Sequence, residues 1–264
     1  MPSRRSFVKT SILTGAAAIA APSLGSAAIP AKNTSEFYEL RVYRLKDNKQ
    51  QTLVEDYLKN AALPALNRLG INHVGVFTEL KPAGQTKIYA IIPFKSLDDF
   101  QKMIARLDED GAYKEKGTAY LEAPANEPAY ERIESSLLKA FAHTPKMVLP
   151  GKTSRLFELR QYQSATESAG KKKIEMFNDK GEIDIFKRLG FKPVFFAETL
   201  IGELRPNLTY MVTFDDMTAH DNHWKAFGSD LEWKKISADP DYADAKLVSK
   251  ITSTFIVPTP YSQI

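Results

Sequence analysis

The chain has 264 residues, of which 43% are hydrophobic and 26% are charged, and its formal net charge is +4. The hydrophobic share excludes a disordered chain, and the length predicts one large domain or two small ones. Residues 1–28 contain three basic residues and no acidic residue, so the rest of the chain is close to neutral. We therefore expect no nucleic-acid partner, because binding a polyanion needs an excess of positive charge. The absence of cysteine also excludes a disulfide framework and any thiolate metal site.

The amino terminus resembles a twin-arginine export signal. A basic pair is followed by an aromatic, an aliphatic and a lysine residue, then by a short apolar run and by small residues that suit a signal peptidase. These segments are Arg4-Arg5, Phe7-Val8-Lys9, residues 12–21 and Ser26-Ala27-Ala28. The resemblance predicts a signal peptide over residues 1–28, a periplasmic or secreted protein, and no membrane span once the signal is removed. A chance basic start on a cytosolic protein and an uncleaved anchor are the alternatives.

The remainder of the chain is predicted to be a tandem repeat. Glu, Leu, Arg and Tyr recur at the same spacing in residues 37–43 and 156–162, and Arg-Leu-Gly recurs at residues 68–70 and 188–190. Matches in the same order at an offset of 119 or 120 residues indicate a duplication. The predicted segments are a short amino-terminal stretch (29–35), a first domain (36–142), a linker (143–154), a second domain (155–258) and a carboxyl-terminal tail (259–264).

Each repeat is predicted to run strand, helix, strand, strand, helix, strand. Alternating apolar residues indicate the strands, and apolar residues at helical spacing that end before Gly70 and Gly190 indicate the first helix of each repeat. The segments are 37–43, 53–69, 73–78, 88–94, 97–107 and 133–141, then 156–162, 174–189, 194–199, 208–214, 219–236 and 247–257. Pro64 and Gly181 predict a break within each first helix. This order predicts an α+β fold of two tandem ferredoxin-like βαββαβ domains, whose sheets face each other in an α/β barrel and form an internal pseudo-dimer.

The same segments carry a family resemblance. The opening Tyr/Phe-Glu-Leu-Arg-x-Tyr, the Leu-Gly end of the first helix and the aromatic end of the third strand resemble NIPSNAP-family domains, present twice, over about residues 36–142 and 155–258. The resemblance implies a dimeric α/β-barrel fold and leaves open whether copies of the chain associate into a homo-oligomer. It implies little chemistry, since the roles discussed for the family concern vesicle trafficking and mitochondrial quality control in eukaryotes.

Two polar triplets are the first candidates for a ligand site. They are Glu39, Arg41 and Tyr43 in the first repeat and Glu158, Arg160 and Tyr162 in the second. Strand alternation places each triplet on one face of its strand, opposite the apolar residues. If the apolar face meets the helices, both triplets face the space between the sheets, where they could bind a small acidic or polar ligand. The alternative is that each triplet forms internal ion pairs that hold the sheets together.

His73 is the remaining candidate. As the first residue of the second strand it is expected to face the same interior space, where its imidazole could serve as a base near neutral pH. Together with Glu39, Arg41 and Tyr43 it would form a site in the first repeat alone, because the matching position of the second repeat holds Pro193. The alternative is a strand-start position under no functional constraint.

No metal or cofactor is predicted. His220 and His223 could lie on one face of a helix, but no third ligand follows at a clear spacing, and a helix start rich in Asp and Asn explains the segment as well. No histidine is marked as an axial haem ligand, and the sequence lacks a phosphate-binding glycine-rich loop and a dinucleotide fingerprint.

Two functions fit this sequence. The first is a non-catalytic module that binds a small ligand or another partner. The second is a cofactor-independent oxygenase or isomerase that acts on a small molecule in the inter-sheet cavity, which is an expectation from fold analogy. We prefer the first because no catalytic constellation accompanies any of the four histidines. A filled apolar interior would favour the module, whereas polar groups converging in a lined cavity would favour the enzyme.

Overall fold

A computed structural model describes residues 35–151 and 155–264 of the chain. The predicted export signal and most of the stretch that follows it lie outside the described residues. The strands are β1 (Phe37–Leu45), β2 (Gly75–Glu79), β3 (Thr86–Phe94), β4 (Arg132–Ala140), β5 (Leu156–Gln163), β6 (Lys192–Ile201), β7 (Asn207–Phe214) and β8 (Lys250–Pro258). The helices are α1 (Asn48–Tyr57), α2 (Leu63–Arg68), α3 (Leu97–Glu109), α4 (Gly111–Leu121), α5 (Glu167–Asp179), α6 (Glu182–Arg188), α7 (Met217–Ser229), α8 (Leu231–Ser237) and α9 (Asp244–Leu247).

The eight strands of the described residues close into one antiparallel barrel. Their order around the barrel is β1-β3-β2-β8-β5-β7-β6-β4, so each repeat contributes four neighbouring strands. Two junctions join the repeats: β2 pairs with β8, and β4 pairs with β6. The fold is therefore mixed α and β, with helices of both repeats packed outside the barrel. Among the described residues, no helix is long and apolar enough to cross a membrane.

The duplication is visible in the helix starts and ends. The amino-terminal caps come in matching pairs, each with a side chain that accepts a backbone N–H of the first turn: Asp47 and Thr166, Ser96 and Asp216, Asp110 and Asp230. Arg68 contacts Asp110, and Arg188 contacts Asp230 in the same way. Hydrogen bonds from the Arg188 guanidinium lower the pKa of the Asp230 carboxylate to about 2.

The predicted breaks in the first helix of each repeat are confirmed. In the first repeat a π-helical turn, Leu58–Ala62, separates α1 from α2, and Pro64 follows it in the first turn of α2. In the second repeat Gly181 has a φ of +92° and separates α5 from α6. Glycine fits this position because a left-handed backbone costs it no Cβ clash.

Apolar side chains fill the middle of the barrel. The buried residues there come from both repeats, and aromatic pairs join them: the ring centroids of Tyr38 and Phe195 lie 5.1 Å apart, and those of Phe77 and Phe157 lie 5.0 Å apart. Leu40 and Val42 pack against this inner cluster. The predicted orientation of the two faces of β1 is therefore wrong: the apolar face points into the barrel, and the polar face points outward to the helices. Alternation revealed two faces but not which one is enclosed, because a closed barrel under helices buries both.

The carboxyl-terminal tail closes one end of the barrel. The backbone of Gln263 pairs with Val74, and that of Thr259 pairs with Val76. Ile264 belongs to the inner cluster and lies against Gly75, where an added Cβ would stand 2.6 Å from Ile264 Cδ1. The tail is thus part of the packed interior.

The outer core of the second repeat contains a buried ion pair. Lys173 Nζ donates to Glu182 Oε2 at 3.2 Å and to Asp244 Oδ1 at 3.0 Å, and both Lys173 and Glu182 are almost fully buried. Burial raises the pKa of Glu182 to about 7, although the nearby Lys173 ammonium opposes the shift. The cap pair Asp47 and Thr166 is 119 residues apart, and at that offset Lys173 corresponds to the buried Val54, while Glu182 lies 120 residues after the buried Ala62, so the first repeat is apolar at these positions.

Candidate functional site

Glu158 on β5 is the centre of a polar cluster between the outer face of the barrel and α7. Its side chain is buried, with 1% of its surface exposed. Oε1 accepts from Arg160 Nη1 at 2.6 Å and from Ser253 Oγ at 2.6 Å, and Oε2 accepts from Trp224 Nε1 at 3.0 Å. The register of β5 and β8 explains the serine contact, because Arg160 and Ser253 are direct partners and the Glu158 side chain leans along the strand. Three donors therefore satisfy both oxygens of this buried carboxylate.

Arg160 is covered by an aromatic ring. Its guanidinium carbon lies 4.4 Å from the centroid of the Trp224 ring, and Nη2 donates to Tyr162 Oη at 3.2 Å. Tyr210 Oη donates to the same hydroxyl at 3.0 Å. Burial works to lower the pKa of Arg160, but the two tyrosines and Glu158 outweigh burial and raise it. Burial also raises the pKa of Tyr210 well above its usual range, so both tyrosines act as neutral hydrogen-bonding groups.

His220 adds an imidazole to this cluster. Its Nε2 lies 3.4 Å from Glu158 Oε2, and its Nδ1 lies 2.8 Å from Asp221 Oδ1. Its ring contacts Phe214 and Phe255, each at a centroid distance of 5.0 Å. The imidazole is therefore held between two carboxylates and two aromatic rings. Such a group can exchange a proton or simply fix α7 on the barrel.

The first repeat contains the same triplet with a different cover. Glu39 accepts from Arg41 Nε at 3.0 Å, from Arg41 Nη2 at 2.9 Å and from Ser135 Oγ at 2.7 Å, and Arg41 Nη1 donates to Tyr43 Oη at 3.3 Å. The residues 120 positions before His220 and Trp224 are Phe100 and Ile104. Neither can donate to Glu39, so α3 gives the first repeat no counterpart of the indole and imidazole contacts.

His73 does not join the first triplet. It is exposed, lies in the turn before β2 and has a φ of +62°. It lines a separate groove of about 400 Å³ with Lys95, Asp99 and Met147, among others. The prediction that His73, Glu39, Arg41 and Tyr43 face one interior space is therefore wrong. Pro193 could not adopt this left-handed backbone, so the two repeats differ in this turn as well as in side chain.

A groove of about 450 Å³ lies at the junction of β2 and β8, and we call it the seam groove. Its walls combine apolar, hydroxyl and cationic side chains from both repeats: Glu79, Leu80, Lys81, Ala83, Lys87, Met217, Ser253, Thr254 and Phe255. Glu79 is engaged by Lys87 Nζ at 3.2 Å and by Tyr89 Oη at 2.6 Å. Ser253 and Phe255 connect the groove to the buried cluster, since they contact Glu158 and His220 respectively.

The sequence reasoning missed the residues that surround the second triplet. From the sequence, no metal site is predicted at His220, and the segment is explained as a helix start. In the described part of the chain, no group of three His, Asp or Glu residues is placed to hold a metal ion. His223 instead packs beside Phe191 and Phe214. Two signals were present: Ser135 and Ser253 recur at an offset of 118, and His220 and Trp224 are four residues apart on one helix face.

Comparisons with known proteins agree with this architecture. A proposed monooxygenase from Fusobacterium nucleatum subsp. nucleatum superimposes with a TM-score of 0.57 at 11% identity, covering 85% of this chain and 93% of its own. An anthrone oxidase-like protein superimposes with a TM-score of 0.52 at 14% identity, covering 85% and 92%. At these identities the likeness shows a shared fold alone.

The family of the chain is shown by its match to a family model. A NIPSNAP family protein from Agrobacterium tumefaciens aligns with 45% of this chain and 97% of its own, at 15% identity and a TM-score of 0.38. No curated protein matches the chain. The NIPSNAP family model matches twice, over residues 38–145 and 157–263. The chain therefore belongs to the NIPSNAP family and carries two copies of its domain.

Proposed function

We propose that this protein is a non-catalytic binding module whose binding site is the seam groove. The observation that carries the proposal is the composition of the groove, where exposed Leu80 and Met217 meet Ser253, Thr254 and two lysines. Concave sites with an apolar body and a few polar groups are typical of ligand binding. The barrel interior supports the same conclusion, because packed apolar side chains occupy the space between the sheets in which a substrate would bind.

The architecture supports one such site in each chain. We infer that the two repeats are ferredoxin-like units joined as an internal pseudo-dimer, because their strands, caps and Arg–Asp pairs correspond in order. Fusion into one chain allows the two junctions to differ. At the other junction Gly202 packs so closely on Ser136 that an added Cβ would clash with Ser136 Oγ. The β2–β8 junction instead has a cavity.

The proposal is tested by observing methionine methyl groups by NMR. Met217 lines the groove, whereas Met176 and Met211 are fully buried elsewhere and serve as internal controls. The protein would be titrated with decanoate, decanol, decylamine and short extended peptides. We expect at least one probe to shift the Met217 methyl signal without shifting the two controls, and Ala83→Trp, which fills the groove, to abolish that shift. If no probe moves Met217 selectively, the groove is not a binding site.

A cofactor-independent oxygenase or isomerase is the second candidate. The observation in its favour is His220, a titratable group held between Glu158 and Asp221 directly behind the groove wall. The test is oxygen consumption with an anthrone as substrate, comparing the wild type with His220→Gln and with His143→Gln, which changes an exposed imidazole outside this cluster. Turnover that is lost only in His220→Gln would establish the enzyme. Absence of turnover in the wild type would remove this candidate.

A further inference from the structure

Strand β8 has one edge that is only partly paired. On one side β8 pairs with β5 from Lys250 to Ile256. On the other side it pairs with β2 only from Ile256 to Pro258, with one further bond from Leu80 N to Phe255 O at 2.9 Å. Within residues 35–151 and 155–264, no strand pairs with this second edge over Lys250–Thr254. The open stretch is five residues, or roughly 16 Å of strand.

The backbone groups on this edge can be identified from the pairing. Phe255 O points toward β2, since it accepts from Leu80. Successive residues of a strand direct their backbone groups to opposite sides, so the N–H and C=O groups of Ser253 and Ile251 face the same side as those of Phe255. Both residues are exposed, Ile251 by 44%. The edge therefore presents two donors and two acceptors in the order that an added strand requires.

The seam groove lies beside part of this edge. Ser253 and Thr254 of the open stretch line this groove, and Leu80, Lys81 and Ala83 of the β2–β3 hairpin and Met217 at the start of α7 line it with them. Within the described residues, neither Lys81 nor Lys250 forms a salt bridge with a carboxylate, so both favour an acidic partner.

We propose that β8 recruits an extended peptide segment of a partner protein as an added strand. The peptide would exchange backbone hydrogen bonds with Ile251 and Ser253, place an apolar side chain between Leu80 and Met217, and carry an acidic residue near the lysines. This is recognition by strand addition, in which the backbone supplies affinity and alternate side chains supply specificity. The inference rests on the seam groove being a binding site.

The first repeat provides an internal comparison. The residues 118 positions before Ile251 and Ser253 are Ile133 and Ser135 on β4. Ile133 is half-buried and packs against the outer core of its repeat, and the hairpin that carries Gly202 lies against Ser136. The edge of β4 is therefore partly covered, and we expect the peptide to bind at β8 alone.

The experiment is fluorescence anisotropy of the full chain with a fluorescein-labelled hexapeptide, an amino-terminal glutamate followed by alternating valine and threonine. Ser253→Pro removes the outward N–H of the edge without touching the bonds to β5, and proline is tolerated at such positions. Ser253→Ala removes only the hydroxyl and is the matched control. We expect Ser253→Pro to weaken binding at least tenfold and Ser253→Ala to change it less than threefold.

A second probe avoids any doubt about the folding of the proline variant. Replacing the amides of the peptide that face β8 with esters removes its donors while the protein stays unchanged, and we expect about a tenfold loss, which corresponds to about 1.4 kcal/mol. Equal binding of amide and ester peptides, equal binding by the two Ser253 variants, or no binding by the wild type would each overturn strand addition. If the wild type binds no peptide and light scattering shows that it forms dimers which Ser253→Pro disrupts, the edge pairs with a second copy of the chain and the proposal is overturned. If decanoate still shifts Met217 in such a case, the groove remains a binding site and only the peptide assignment fails.

Discussion

Replacing Lys173 with methionine should destabilise the protein strongly, and the loss should depend on pH. The substitution keeps the side-chain volume but leaves Glu182 buried without its cation. Breaking a buried pair in this way costs roughly 3–5 kcal/mol. Asp244, the other partner of Lys173, is half exposed and can be solvated by water, so most of the cost falls on Glu182.

The sign of the pH dependence follows from the pKa of Glu182, which burial raises from 4.5 to about 7. The folded state holds this proton more tightly than the unfolded state, so the contribution of the group is most favourable below pH 4.5. It is lost as the pH rises from 4.5 through about 7. Removing the Lys173 ammonium raises the pKa of Glu182 further. Lys173→Met should therefore lose the most stability at pH 8 and much less at pH 5.

A double variant separates the lost ion pair from simple damage to the core. Lys173→Met combined with Glu182→Leu removes both charges, and the first repeat likewise has the uncharged Val54 and Ala62 at these positions. The free energy of unfolding of the double variant should fall within about 1 kcal/mol of the wild type or exceed it. Urea unfolding followed by circular dichroism at pH 5 and pH 8 measures all three proteins. Lys172→Met, at a neighbouring partly exposed position, is the control and should change the free energy of unfolding by less than about 0.5 kcal/mol. A double variant as unstable as the single one, or a single variant with no pH dependence, would refute the reasoning.

Two further predictions concern the barrel end and the amino terminus. Gly75→Ala should lower the free energy of unfolding by about 1–3 kcal/mol through overpacking, because the new Cβ would stand 2.6 Å from Ile264 Cδ1. At Gly111 an added Cβ meets no atom within 4 Å, so Gly111→Ala is the control and should change the free energy of unfolding by less than about 0.5 kcal/mol. Thermal and urea unfolding compare the two variants. Changing Arg4 and Arg5 to lysine should leave the precursor in the cytoplasm, because a guanidinium pair is not replaced by two ammonium charges. Immunoblotting of cell fractions measures the precursor and the processed protein. Normal processing of the variant would contradict the export assignment.

The sequence predicted the repeat and most of the elements because these depend on local patterns. The Arg-Leu-Gly ends of the first helices and the alternation of β1 each depend on a few neighbouring residues. The prediction that the polar triplets face the barrel interior was wrong because the answer depends on strand pairing between distant parts of the chain. Tyr38 is enclosed only because β2–β8 and β4–β6 pairing closes the barrel around it, and no pattern within β1 reports that closure.

The candidate site was predicted in part. Glu158, Arg160 and Tyr162 do form one hydrogen-bonded group, but Trp224 reaches it from α7, 66 residues from Glu158. Helix spacing shows that Trp224 and His220 share a face but not which strand that face contacts. The prediction for His73 was wrong because its left-handed backbone places it before β2 rather than on the strand. The only sign of this in the sequence is that the second repeat has Pro193 at the matching position.

Closure of the barrel within one chain affects how the protein responds to dilution. The pairs Tyr38–Phe195 and Phe77–Phe157 join the two repeats across the barrel, and the linker keeps their partners together at an effective concentration set by its length. A barrel built from two separate chains would lose this packing as its subunits dissociate, so its melting temperature would fall with protein concentration. Here the barrel forms by a unimolecular process, and a single molecule in a dilute compartment keeps both its interior and its seam groove.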